Sequence, residues 1–120
     1  MKTDELELTI PRTLNDVRGA LQQSLQRVRA KSIETLDFGS DPLAAPTEAA
    51  DIQLVVSGQG LVGGAWGIQI FVVADDAECD VLLIALGDDA FTRIVKSGLR
   101  YSYSLSKSIQ IRNTIAAHLH

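Results

Sequence analysis

A chain of 120 residues, 46% of them apolar, is the size of one domain and can build a single core without disulfide or metal staples. Aromatic residues make up only 5%, so that core must be aliphatic. No apolar run approaches the roughly 18 residues that span a bilayer, which argues against membrane insertion; the lone cysteine, Cys79, rules out an internal disulfide.

Along the chain, Leu6, Leu8 and Ile10 alternate with Glu5, Glu7 and Thr9, which predicts a strand with one buried face. The same stretch lacks the basic start and continuous apolar core of a secretion signal, so a cytoplasmic, unanchored protein is expected. Pro11 ends the strand. Thr13 then offers an N-cap hydroxyl, with Asp16 three residues on. Leu14, Val17, Leu21, Leu25 and Val28 follow at steps of three and four and form the apolar stripe of an amphipathic helix. Asn15, Arg18, Gln22, Gln26 and Arg29 occupy its other face, and Arg27, Arg29 and Lys31 gather where the helix dipole favours cations.

SIETLDF reads as a second strand, and residues 39–50, with two prolines and a glycine, as a flexible loop. DIQLVVS and WGIQIFVVA read as two more strands. ECDVLLIALG reads as a fifth, continuous enough to be buried on both faces or to sit centrally. ADDAE, between the last two, is a hairpin turn. Asp88 to Gly98 reads as a short helix that opens on acids. From Leu99 the period is two, with Tyr101 and Tyr103 on the apolar set, yet Ile111, Ile115 and Leu119 stand at helical spacing. Extended chain through about Leu105 and helix from Ser106 to Leu119 reconcile the two; one long helix from Asp88 onward is the alternative. The expected fold is a single α+β domain over residues 1–120, in the order β-α-β-β-β-β-(short helix)-α. Its sheet is antiparallel, with the helices packed on one face. By element order this resembles the helix-grip folds of lipid- and polyketide-binding proteins, in which a curved sheet wraps a terminal helix.

Gly58, Gly60 and Gly63 spell the dinucleotide fingerprint G-x-G-x-x-G. That motif works only when a helix follows and receives the phosphates on its N-terminus. Here an alternating, β-branched strand follows instead. A glycine-rich loop over phosphates would also need a lysine and magnesium-binding acids, and no Lys or Arg occurs from Ser32 to Gly87. The motif therefore reads as a hairpin connection, and no nucleotide or other cofactor is expected. Asp80, near the distance of a ribose-binding acid, belongs to the polar turn.

The same base-free segment carries Glu34, Asp37, Asp41, Glu48, Asp51, Asp75, Asp76, Glu78 and Asp80, which argues against nucleic acid or anionic lipid as a partner. A solvated acidic sheet face accounts for most of this charge. From Asp88 onward the balance turns basic, and Arg93, Lys96 and Arg100 become candidates for contact with a protein partner or a second copy in a homodimer. Cys79 opens an apolar run with nothing basic near it in sequence, as a small core residue and not a reactive thiol would. His118 and His120 stand at a terminus, poor positions for a catalytic base or a metal site. Asp75-Asp76 and Asp88-Asp89 lack the spacing of a calcium loop. The serines at 102, 104, 106 and 108 have no histidine placed to activate them. A non-enzyme is expected. Two functions remain: a module binding a small apolar or lipid-like ligand between the sheet and the C-terminal helix, or a protein-interaction or immunity-type module acting through its acidic surface. For the first, Trp66, Leu61, Tyr101 and Tyr103 are the candidate ligand-binding residues, although Trp66 reads first as a residue of a loop folded back on the core.

Overall fold

The structure, a computed structural model, describes residues 3–35, 50–59, 65–87 and 103–120. Five strands and two helices lie within them: β1 (Thr3–Ile10), α1 (Leu14–Arg27), β2 (Ser32–Thr35), β3 (Ile52–Gln59), β4 (Ala65–Asp75), β5 (Glu78–Leu86) and α2 (Leu105–Leu119). The sheet runs β1-β5-β4-β3-β2 with every neighbouring pair antiparallel. β2 to β5 form a meander, and β1 joins it beside the last strand, so α1 carries the chain from one sheet edge to the other. This is the expected α+β arrangement. The short helix expected at Asp88 to Gly98 lies outside the described residues, as do Arg93, Lys96 and Arg100.

Each local signal acts where it stands in the sequence. The Asp16 amide donates to the Thr13 hydroxyl at 3.3 Å, capping α1. Val17, Leu21 and Leu25 are buried from that helix, while Asn15, Arg18, Gln22 and Gln26 face solvent. α1 ends in a Schellman turn: the Arg29 amide donates to the Gln26 carbonyl and the Ala30 amide to the Leu25 carbonyl, both at 3.1 Å. That turn places Arg29 at φ 58°, a left-handed position where glycine is the usual residue. Between β4 and β5 only Asp76 and Ala77 intervene, and Asp76 has φ 52°, the positive dihedral that two-residue hairpins require.

Register sorts the side chains into two faces. On the helix side, Leu6, Leu83, Ile70 and Leu54 form one row across four strands, and Leu8, Val81, Val72 and Ile52 the next. Val17, Leu21 and Leu25 of α1 and Ile115, Ala116 and Leu119 of α2 close over these rows into one core. The opposite face is not the solvated acidic surface expected from composition. Glu5 and Glu7 are exposed along the β1 edge, but Val55, Phe71, Ile84 and Leu86 are buried with Ala65 and Tyr103. The reason is that β4 and β5 are apolar at both parities, so the sheet centre offers water neither face.

α2 begins at Leu105, one residue before the expected start, with Ser104 as its N-cap. Tyr103 is extended and forms a parallel bridge with Ala65, and the Ser104 amide donates to the Ala65 carbonyl at 2.9 Å. The returning chain thus takes the place beside β4 that β5 leaves after Leu86. Ser108, one turn into α2, locks the junction. Its hydroxyl accepts from the Gly67 amide at 3.0 Å and donates to the Leu86 carbonyl at 2.7 Å, bridging β4 and β5 where their ladder ends.

Candidate functional site

The α1 backbone comes closest to α2 and, of the strands, to β5, whereas α2 lies across β5, β4 and β1. Among the described residues, the β2–β3 side of the sheet is left uncovered beneath the flank of α1. A groove of about 620 Å³ occupies that space, within the range of roughly 300–1,000 Å³ typical of small-molecule sites. Its lining is apolar at the bottom: Leu21 and Leu25 from α1, Ile52 and Leu54 from β3, and Ala30 from the Schellman turn. Ile33 of β2 stands at its edge, 53% exposed. Arg18, Gln22 and Gln26 complete it, one helical turn apart along the exposed flank of α1.

The groove does not lie between the sheet and the C-terminal helix, where a ligand site is expected. Among the described residues, Ile115 and Leu119 are fully buried against the sheet and α1, filling the layer under α2, and the groove opens beneath α1. The candidate ligand residues are not gathered in it. Trp66 is in the helix-side core, 2% exposed, with its ring over Gly58, where an added Cβ would stand 2.6 Å from the indole. Tyr103 is on the opposite face, its ring over Gly67, where an added Cβ would come equally close. The sheet thus separates the two aromatics. Leu61 and Tyr101 lie outside the described residues.

The glycine motif is likewise placed by the fold. Gly58 belongs to β3, and Gln59 pairs directly with Ala65 of β4. Only five residues separate the paired positions, and the strands run antiparallel, so the crossover helix of a dinucleotide unit has no place there. Gly60 and Gly63 lie outside the described residues.

Two buried polar groups and one ion pair stand out among the described residues. Gln69 is fully buried on the face opposite the helices, directly between Val55 and Ile84, and neither of its amide atoms has a hydrogen-bond partner. Arg112 is buried on the inner stripe of α2 and forms an ion pair with Asp4 of β1, also donating to the Asp4 carbonyl at 2.8 Å. The Arg12 guanidinium donates to the Leu119 carbonyl at 3.4 Å, so both ends of the chain are tied together through α2. Ser108 and Arg112 stand at the spacing from Ile115 and Leu119 of a single helix face, yet in the sequence they read as ordinary polar positions. Polar identity hid them. No such signal exists for Gln69, whose alternating neighbours look like any half-solvated strand.

Cys79 is buried and donates weakly from its Sγ to the Arg12 carbonyl at 3.4 Å. Burial pushes its thiol pKa up, and the nearby Asp51 and Asp80 carboxylates push it further. This is the opposite of an activated nucleophile. No group of three His, Cys, Asp or Glu among the described residues could hold a metal ion, and none of their helices is long and apolar enough to cross a membrane.

Comparison with known proteins gives no family model and no curated protein that matches this chain. Solved structures include two with a similar course. Ara h 8.0201 is 11% identical, with a TM-score of 0.38 over 98% of this chain and 97% of its own. The Zhui aromatase/cyclase from Streptomyces sp. R1128 is 12% identical, with a TM-score of 0.35 over 98% of this chain and 86% of its own. Both scores are below 0.5, and nothing about ligand or activity is carried over from either protein.

Proposed function

We propose that this domain is a non-enzymatic module that holds a small apolar ligand in the groove between α1 and the β2–β3 side of the sheet. One observation carries the reading: a groove of about 620 Å³ lined by aliphatic side chains of α1, β2 and β3, with its described polar residues all on α1. Concave, mostly apolar sites with a few convergent polar groups are the usual form of small-molecule sites. The half-exposed Ile33 adds to it, because a bound apolar molecule would cover surface that water now meets. The lining offers one positive charge, two amides and aliphatic surface. None of these side chains is a nucleophile or a proton carrier at neutral pH, which supports binding over catalysis.

Nile red, a neutral apolar dye, tests the site. The protein should bind it with a blue-shifted emission, and Ile33→Glu should weaken that binding at least tenfold while leaving the unfolding midpoint in place. A dye signal indifferent to Ile33→Glu and to a second groove change, Leu54→Lys, would remove the groove as the ligand site.

The acidic-surface reading is favoured by a different observation. Asp51, Asp75, Asp76, Glu78 and Asp80 are all exposed at the β4–β5 turn end of the sheet, where the Ala74 amide fixes the Asp51 carboxylate at 2.8 Å. A basic protein, a second copy of this chain included, is the partner such a surface would take. Sedimentation velocity at low and high salt tests self-association. A single monomer species at both, at tens of micromolar, would remove the homodimer.

A further inference from the structure

We infer that the occupant of the α1 groove is a single-chain amphiphile with an anionic head, a carboxylate or a phosphate, its chain on the aliphatic bottom and its head at Arg18. This rests on the ligand reading above and adds the chemistry that would select the ligand. Among the described residues, the groove lining contains one cation and no acid. That is unusual in a chain of net charge −4 whose whole sheet wall at this site comes from a segment without Lys or Arg. Arg18 is also uncommitted. Arg112 is engaged by Asp4 and Arg12 by Leu119, but Arg18 has no hydrogen-bond or ion-pair partner among the described residues.

A guanidinium presents a fork of donors that matches carboxylate and phosphate oxygens, and a pair of this kind is among the stronger hydrogen-bonded contacts. Gln22 and Gln26 extend the polar edge along the same flank with amide donors. From Arg18 to Gln26 the helix rises about 12 Å, at 1.5 Å per residue, with Leu21 and Leu25 lying inward between them, a length suited to a medium acyl chain. A neutral apolar molecule would draw nothing from Arg18, and a cationic one would be repelled by it. An anionic head with an apolar tail uses both halves of the groove at once.

The test compares three twelve-carbon probes below their micelle concentrations: laurate, dodecyl phosphate and the neutral dodecanol. Each is measured by displacement of Nile red from the full chain. The expected result is that at least one anionic probe binds ten times tighter than dodecanol, with the tighter of the two anions identifying the head. Arg18→Gln should erase that difference by bringing the binding of the anions down to the level of dodecanol. Arg18 is an exposed helix position, so the substitution should leave the fold intact; an unchanged melting temperature checks this. Equal binding of all three probes, or a preference that survives Arg18→Gln, would overturn the anionic-head inference and leave the groove reading intact, provided Ile33→Glu weakens dodecanol binding at least tenfold. If Ile33→Glu leaves all three probes bound as before, the groove reading falls and this inference falls with it.

Discussion

Gln69 shows what a single residue can cost a fold. Its amide is fully buried among Val55, Phe71 and Ile84 with no partner for either atom. A buried polar group left unpaired costs about 1–3 kcal/mol. Gln69→Leu should therefore raise the free energy of unfolding by about 1–3 kcal/mol in urea titration; Gln69→Glu should lower it, because it adds a charge to the same patch. A loss of stability in the leucine variant would show that the amide has a partner in solution. Cys79 gives the second residue-scale expectation. Its folded pKa is raised, so the folded state holds the thiol proton more tightly than the unfolded chain does. The stabilisation is complete below the ordinary thiol pKa of about 8.5 and is lost as pH rises from there through the folded value. Urea midpoints should thus fall above about pH 8.5, and Cys79→Ala should flatten that fall. If the slopes of the two proteins coincide, the thiol makes no such contribution.

At the scale of the element, α1 is a helix whose sequence and structure agree along its length except at its last turn. Leu21→Ala and Leu25→Ala should each cost about 2–5 kcal/mol, as truncations of buried leucines do, whereas Gln22→Ala on the solvent flank should cost under about 0.5 kcal/mol. Chemical denaturation ranks the three directly, and Gln22→Ala as the most damaging would reverse the helix phase. The Schellman turn holds Arg29 at φ 58°, although arginine has a Cβ and glycine does not. Arg29→Gly should stabilise the protein by up to about 1 kcal/mol, and a lower melting temperature would count against that geometry. α2 was harder to read. Tyr103 to Ser108 alternate as a strand would, yet only Tyr103 is in a bridge and the helix begins at Leu105. Small, capping-prone serines satisfy both periods over so short a window. What decides is the burial of Ile115 and Leu119 further along, together with the Ser104 cap.

Over the whole molecule, the basic C-terminal segment and the acidic remainder meet inside one chain at Arg112 and Asp4. Arg112 is buried and Asp4 about half exposed, so the pair acts between the two regimes of buried and surface ion pairs. Asp4→Asn should destabilise the domain by about 1–2 kcal/mol, and Glu5→Gln, on the outer face of the same strand, by less than about 0.5 kcal/mol. Similar midpoints for the two variants would mean that the pair contributes nothing to holding the β1 edge against α2.

Much of this architecture is written in local patterns. Alternation in β1, the three-and-four spacing of α1, its Thr13 cap and the two-residue turn at Asp76 each follow from interactions within a few residues, which a linear sequence displays. The same locality argues against a dinucleotide-binding βαβ unit, because a motif that needs a following helix is followed by a strand. Periodicity says which side of an element is apolar but not what lies against it. Hence only the tertiary structure placed Trp66 and Tyr103 on opposite faces of the sheet, turned Ser108 into a bridge between two strands, left Gln69 without a partner and buried Arg112 beside Asp4. The groove is the clearest case. Leu21, Ile33 and Leu54 read separately as residues of three ordinary amphipathic elements. They become one surface because α1 packs beside α2 and over β5, leaving the β2–β3 flank uncovered by the described residues, a choice made by packing among residues nearly a hundred positions apart.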